Sequence, residues 1–135
     1  MKNIVAIDVG NSETTVGVGN NSSWRSYRYT TRKTITSDEL FMMFKTTIDP
    51  DSINDENLDG SIICSVVPQI TESVVEATER FTSKKVHTVG PGIKTGLKVN
   101  IDNPKELGPD RIANSVGGFK MAQKSVIIVD LGTAT

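Results

Sequence analysis

Disulfides, multi-cysteine metal sites and histidine clusters are all closed to this chain, because its 135 residues include one cysteine, Cys64, and one histidine, His87. A single thiol cannot form an intrachain bridge, and its scarcity agrees with a reducing compartment. Cys64 lies within Ile62-Ile63-Cys64-Ser65-Val66-Val67 and reads as an inert core residue. His87 sits in a strand with no His, Cys or triad partner near it in sequence, which makes it structural rather than catalytic. A charge excess is missing too: 15 basic against 16 acidic residues leave a net charge of −1, which points away from nucleic acid and from anionic membrane surfaces. Long apolar runs are absent. The stretch Val126 to Val129 is far too short to cross a bilayer, and Met1-Lys2-Asn3 leads into a strand rather than into the apolar core of a signal peptide. The expectation is a cytoplasmic protein with no membrane and no nucleic-acid partner. What remains is an ordinary globular balance, 36% hydrophobic residues, over about one domain length.

Within that balance one pattern occurs twice. Ile4-Val5-Ala6-Ile7-Asp8-Val9-Gly10-Asn11-Ser12 near the start is echoed by Val126-Ile127-Ile128-Val129-Asp130-Leu131-Gly132-Thr133-Ala134 near the end. Each copy reads as a fully buried strand ending in Asp-x-Gly and small polar residues. Gly10 and Gly132 permit close approach of backbone to a ligand, and N–H groups beside Asn11, Ser12 and Thr133 suit phosphate oxygens. Asp8 and Asp130 carry the opposite sign, suited to an ion that accompanies a nucleotide. One such turn is common in any α/β protein. Two of them, about one domain length apart, suggest two related domains that each offer a hairpin to a nucleotide between them.

The elements between the copies follow from local signals. Strands are expected at about Asn3 to Val9, Thr14 to Gly19 and Trp24 to Thr31, with Gly19-Asn20-Asn21-Ser22 as a hairpin turn. Trp24, Tyr27 and Tyr29 read as one face of the third strand, with no ligand assigned to them. Thr36-Ser37-Asp38-Glu39 is a capping box, and the helix it opens carries Leu40, Phe41, Phe44 and Ile48 as its apolar stripe. A strand Ser61 to Val66 follows a polar loop. Pro68 then opens a helix with Ile70, Val74, Val75, Ala77 and Phe81 toward the sheet. After a strand Lys85 to Val89 and a Gly/Pro-rich crossing, a third helix from about Pro109 to Gln123 carries Ile112, Val116 and Phe119 on one side. The order is β-β-β-α-β-α-β-α, then one more strand.

Glu106 to Asn114 stands out chemically. Asp110 and Arg111 are adjacent at the start of a helix just after Gly108, which gathers a carboxylate, a guanidinium and helix N–H groups near one small volume. Such a place suits an alcohol meeting a phosphoryl group. That transfer needs positioning, charge neutralisation and a group to take the hydroxyl proton, a role that Asp110 fits.

The element order resembles the repeat unit of the actin-like ATPase superfamily. Within it, four stretches together resemble the type III pantothenate kinases: Asp8 to Ser12, Gly90 to Leu97, Asn103 to Asn114 with its Glu-x-Gly-x-Asp-Arg signature, and Asp130 to Thr135. The resemblance implies an α/β fold of the ribonuclease H-like, actin-like ATPase kind, with a mixed five-stranded sheet. It implies ATP-dependent phosphorylation of pantothenate, with Asp110 as base and Gly108, Arg111 and Gly96 about the substrate. Asp8 would orient Mg²⁺ through water. Gly10, Asn11, Ser12, Gly132 and Thr133 would contact the ATP phosphates, and Asp130 would attend a monovalent cation, K⁺ or NH₄⁺. Residues 1–123 would form a first domain and 124–135 the opening strand and hairpin of a second. The family is similar in being homodimeric. Two departures are visible: Ile101 replaces an aromatic that members often carry there, and a member would continue past Thr135 through a second domain. With about half of such an enzyme present, little or no activity is expected of this chain alone. The alternative is a non-catalytic nucleotide-binding relative of the transcriptional accessory type.

Overall fold

The computed structural model describes residues 2–53, 56–90 and 92–132. Strands β1 (Asn3–Val9), β2 (Glu13–Gly19) and β3 (Trp24–Thr30) come first, followed by α1 (Ser37–Thr47), β4 (Leu58–Ser65), α2 (Pro68–Thr82), β5 (Val86–Thr88) and α3 (Pro109–Ala122). The five strands form one sheet in the order β3-β2-β1-β4-β5. β1 is central, antiparallel to β2 and parallel to β4, so the sheet is mixed as the element order implied.

Alternation along the strands assigns each side chain to a face. Val5, Ile7 and Val9 of β1, Val16 and Val18 of β2 and Ile63 of β4 are buried against Leu40 and Phe44 of α1 and Ile70, Val74 and Ala77 of α2. Phe44 anchors this core, its ring 5.9 Å from that of Tyr29 and 5.7 Å from that of Phe81. α1 begins where its capping box predicts: Glu39 N donates to Thr36 Oγ1 at 3.2 Å, and Thr36 N donates to Glu39 Oε2 at 3.0 Å. α2 starts on Pro68, whose missing N–H falls where no intrahelical acceptor exists.

The opposite face is built from smaller residues. Ala6 pairs with Gly17 and Ile62, and Asp8 with Thr15 and Cys64, in the β2 and β4 registers. α3 covers this face only in part: none of its residues is buried, Ile112 and Val116 are half-buried, and Phe119, expected on the inner side, is 50% exposed.

Two sequence expectations fail here. Residues 126–129 form no strand; Ile127 is 90% and Val129 70% exposed, and only Ile128 and Val126 lean on α3 near Gly118. The β-branched run has the propensity, but it pairs with none of the five strands, and a strand without a neighbour to share its hydrogen bonds does not form. Nor do Trp24, Tyr27 and Tyr29 share a face. Tyr27 and Tyr29 pack against the core while Trp24, an odd number of residues away, lies on the other side over Gly17.

Candidate active site

The site grows from the end of β1. Asp8 is the last residue of that strand to point to the lightly covered face, directly across from Cys64 on the parallel neighbour β4. The turn that follows is tight: Gly10 N donates to Glu13 O at 3.0 Å, and a Cβ at position 10 would come within 2.9 Å of that same carbonyl oxygen. Gly10 thus spends its own N–H on closing the hairpin. Asn11 and Ser12 form the exposed tip, with Thr31 N donating to Ser12 O at 3.0 Å on its far side.

The start of α3 faces this hairpin. Gly108 is the residue before the first turn and provides no side-chain cap. Asp110 fills the gap, its Oδ1 accepting from Arg111 N at 2.8 Å. A Cβ on Gly108 would overlap that same carboxylate oxygen, so glycine there leaves the room Asp110 occupies. Asp110 and Asp8 line one cavity of about 340 Å³ together with Ala6, Gly17, Trp24 and Cys64. Arg111, one position on and about 100° around the helix, opens instead on a second cavity of about 420 Å³ with Ser115 and Asp130. Asn114 borders both cavities, and its Nδ2 donates to Asp130 Oδ2 at 2.9 Å.

Electrostatics bind these groups together. The Asp8 carboxyl is held above the ordinary range, first by partial burial and then by the negative charges of Asp110 and Asp130. The Cys64 thiol is pushed up to about 12, by burial and then by Asp8 and Asp110. At neutral pH Cys64 is therefore a thiol and no nucleophile, as its apolar neighbours implied. Among the described residues no group of three or more His, Cys, Asp or Glu side chains is gathered closely enough to enclose a metal ion. Asp8 and Asp110 together give the cavity two carboxylate groups of the sign a divalent cation takes.

The sequence-derived residues divide accordingly. Asp8 and Asp110 meet; Gly10, Asn11, Ser12 and Gly108 flank them; Arg111 and Asp130 share the adjoining cavity. Gly96 lies in an exposed irregular stretch at φ +78° and lines neither cavity. Gly132 is exposed, and Thr133 falls outside the described residues. Asn114 went unassigned in the sequence reading, although its spacing of four from Asp110 on a helix was a signal that the two share a face. His87 is exposed on β5 and lines neither cavity, and among the described residues no helix is long and apolar enough to cross a membrane.

Comparison with known proteins places these features in a family. The model described as "Type III pantothenate kinase" matches residues 4–135. A type III pantothenate kinase of Exiguobacterium sp. is 38% identical over 133 residues, which is 98% of this chain and 52% of that protein. One of Geotalea uraniireducens is 40% identical over 133 residues, again 98% of this chain and 52% of the relative. The chain thus spans about half the length of the curated relatives it matches. Among solved structures, YeaZ from Pseudomonas aeruginosa superposes with a TM-score of 0.47 at 15% identity, over 66% of this chain and 44% of that one.

Proposed function

The chain belongs to the type III pantothenate kinase family, and from that premise we propose that its Asp8–Asp110 site serves the transfer of the γ-phosphoryl group of ATP to the primary hydroxyl of pantothenate. The observation that carries this reading is the convergence of two carboxylates, one from a strand end and one from a helix start, on a single cavity. One of them has room beside it for a reacting alcohol. Asp110, steered by Arg111 N–H, accepts the hydroxyl proton as the oxygen forms its bond to the γ-phosphorus. The bond from that phosphorus to the β–γ bridging oxygen breaks in line, and its electrons leave with ADP. The product is 4'-phosphopantothenate, at the entry to coenzyme A synthesis.

The other roles follow from position. Asp8, in a negative surround, would hold Mg²⁺, and the ion would supply charge neutralisation on the phosphates. The hairpin at Gly10, Asn11 and Ser12, and Gly132 with Thr133 on the second copy of the motif, contact the phosphates. Asp130, held by Asn114, attends the monovalent cation, K⁺ or NH₄⁺. Arg111 faces the adjoining cavity, where it meets the pantothenate carboxylate. Gly96 shapes the outer wall of the substrate pocket. Residues 1–123 form a first domain and 124–135 open a second, the working enzyme being a cytoplasmic homodimer. The regulatory alternative draws no support from relatives that are both named as kinases.

The test is pantothenate-dependent release of ADP with Mg²⁺ and K⁺. It compares this chain, a version extended to the length of its relatives, and the extended Asp110→Asn variant. Activity in the extended wild type alone is expected, with this chain near zero and Asp110→Asn reduced about 10²- to 10⁴-fold. ATP binding without turnover in the extended wild type would overturn the kinase reading.

A further inference from the structure

Trp24 is the one tryptophan of the chain, and it is 51% exposed on the face that carries Asp8. Large aromatic rings usually find cover, so a half-open indole in a paired strand needs a reason. Its lower side has one. The ring runs over Gly19 and Gly17: a Cβ added at Gly19 would meet its Cδ2 at 3.0 Å, and one at Gly17 its Cε3 at 3.2 Å and Cζ3 at 3.3 Å. Its upper side forms a wall of the cavity that Asp8 and Asp110 share, opposite Cys64 and Ile62. Gly17 pairs with Ala6, two residues before Asp8 on β1, so the nearer edge of the ring lies about 7 Å along the strand from the carboxylate. The cavity therefore has a charged end and an apolar end, with small residues as its floor between them.

We propose that Trp24, seated on Gly17, is the specificity wall for the acceptor's branched aliphatic carbons, the two methyl groups beside the hydroxyl that is phosphorylated. This rests on the kinase reading and deepens it. The hydroxyl sits at Asp110, the acceptor's carboxylate runs toward Arg111 in the adjoining cavity, and the methyl groups turn away from charge toward the indole and Ala6. Dimethyl carbons are driven away from the two carboxylates toward apolar lining, and of that lining the indole offers the largest exposed apolar face beside Ala6. Gly17 matters because any side chain under the ring would lift it into the space the methyl groups need.

The test uses the extended enzyme with two acceptors, pantothenate and its analogue lacking both methyl groups. The unaltered enzyme should prefer pantothenate in kcat/KM by about tenfold or more. Trp24→Ala should raise the KM for pantothenate, leave the KM for ATP unchanged and bring the two acceptors to within about threefold of each other; Trp24→Phe should keep the preference. A purely structural tryptophan would lower activity toward both acceptors alike. If the unaltered enzyme phosphorylates pantothenate while Trp24→Ala retains both its KM and its preference, the inference is overturned and the kinase reading stands. If the unaltered enzyme does not phosphorylate pantothenate at all, the kinase reading fails and takes this inference with it.

Discussion

Replacing Gly108 by alanine adds one methyl group where only the Asp110 carboxylate is in its way. The new Cβ would overlap Asp110 Oδ1 and lie 3.6 Å from Cγ, with no third atom outside its immediate surroundings within 4 Å. The backbone there, at φ −60° and ψ 146°, is open to any residue, so no strain arises from the exchange itself. Alanine is the poorer residue before a helix, by up to about 1 kcal/mol, but it also restricts the unfolded chain by about 0.4–1 kcal/mol. The two effects nearly cancel, and the melting temperature should move by less than about 4 °C. The carboxylate, however, must swing off the Arg111 N–H and away from the alcohol. Loss of a positioned base is worth about 10²- to 10⁴-fold, or about 3–5 kcal/mol at 1.36 kcal/mol per tenfold. In the extended enzyme, pantothenate-dependent ADP release by Gly108→Ala should therefore fall at least about 10²-fold. Combining it with Asp110→Asn should lower the rate no further, because both changes remove one function. A Gly108→Ala enzyme that works normally while Asp110→Asn is dead would refute the claim that glycine sets the carboxylate's position.

Other changes separate stability from chemistry. Phe44→Ala removes a ring that is 1% exposed and packed at tilted angles between Tyr29 and Phe81, and should cost about 3–5 kcal/mol by urea denaturation; a loss below about 1 kcal/mol would mean that the core closes over the gap. Glu39 has its pKa lowered, mainly by the Thr36 backbone N–H, then by the Thr36 hydroxyl and Arg32. Its ionised form is thus favoured by folding, a benefit present above the ordinary value of 4.5 and lost as pH falls through the lowered one. The gap in melting temperature between wild type and Glu39→Gln should accordingly be visible at pH 7 and vanish in acid; a gap that is constant with pH would contradict the capping role. Asp8 is the reverse case. A carboxyl whose pKa is raised on folding stabilises only when protonated, and that benefit is gone above the raised value. Asp8→Asn should hence melt higher than wild type at pH 7 without nucleotide, yet lose turnover about 10²-fold or more; a lower melting point would argue that Asp8 is held by a partner after all.

How much of this was legible in advance depended on whether the determining contacts were local. The Thr36–Glu39 box and Pro68 at a helix start act within a few residues, and α1 and α2 stand where those signals put them; β1 forms on its β-branched run but is buried on one face only, not on both as that run implied, with Ile4 36% exposed. Residues 126–129 show the opposite. Their pattern matches that of β1, but a strand also needs a partner that it pairs with, and four residues do not specify one. Trp24 lies on the opposite face from Tyr27 and Tyr29 because its odd spacing from both, not its aromatic character, sets its side of a strand. The meeting of Asp8 with Asp110 was foreseeable only through family resemblance, since nothing local in a strand end and a helix start about a hundred residues apart says that they face each other. Gly96 was carried by resemblance alone, and neither cavity reaches it.

Parity along β1 is what lets this fold hold a site without undermining its core. Val5, Ile7 and Val9 are at most 3% exposed and face two helices, whereas Ala6 and Asp8 face α3, of which no residue is buried. The two sets differ by a single step of the backbone, and a one-residue slip in register would exchange them. Such a slip is opposed from both sides: β2 and β4 each fix β1 along its length, one antiparallel and one parallel. The carboxylate's burial penalty and its repulsion from Asp110 and Asp130 are thereby borne by the sheet's hydrogen bonds and by the apolar packing on the far face. A strand at the sheet's edge, with one neighbour and a looser register, would relieve that repulsion by shifting. β1 cannot shift, and the negative charge gathered at its end is of the sign that a cation would neutralise.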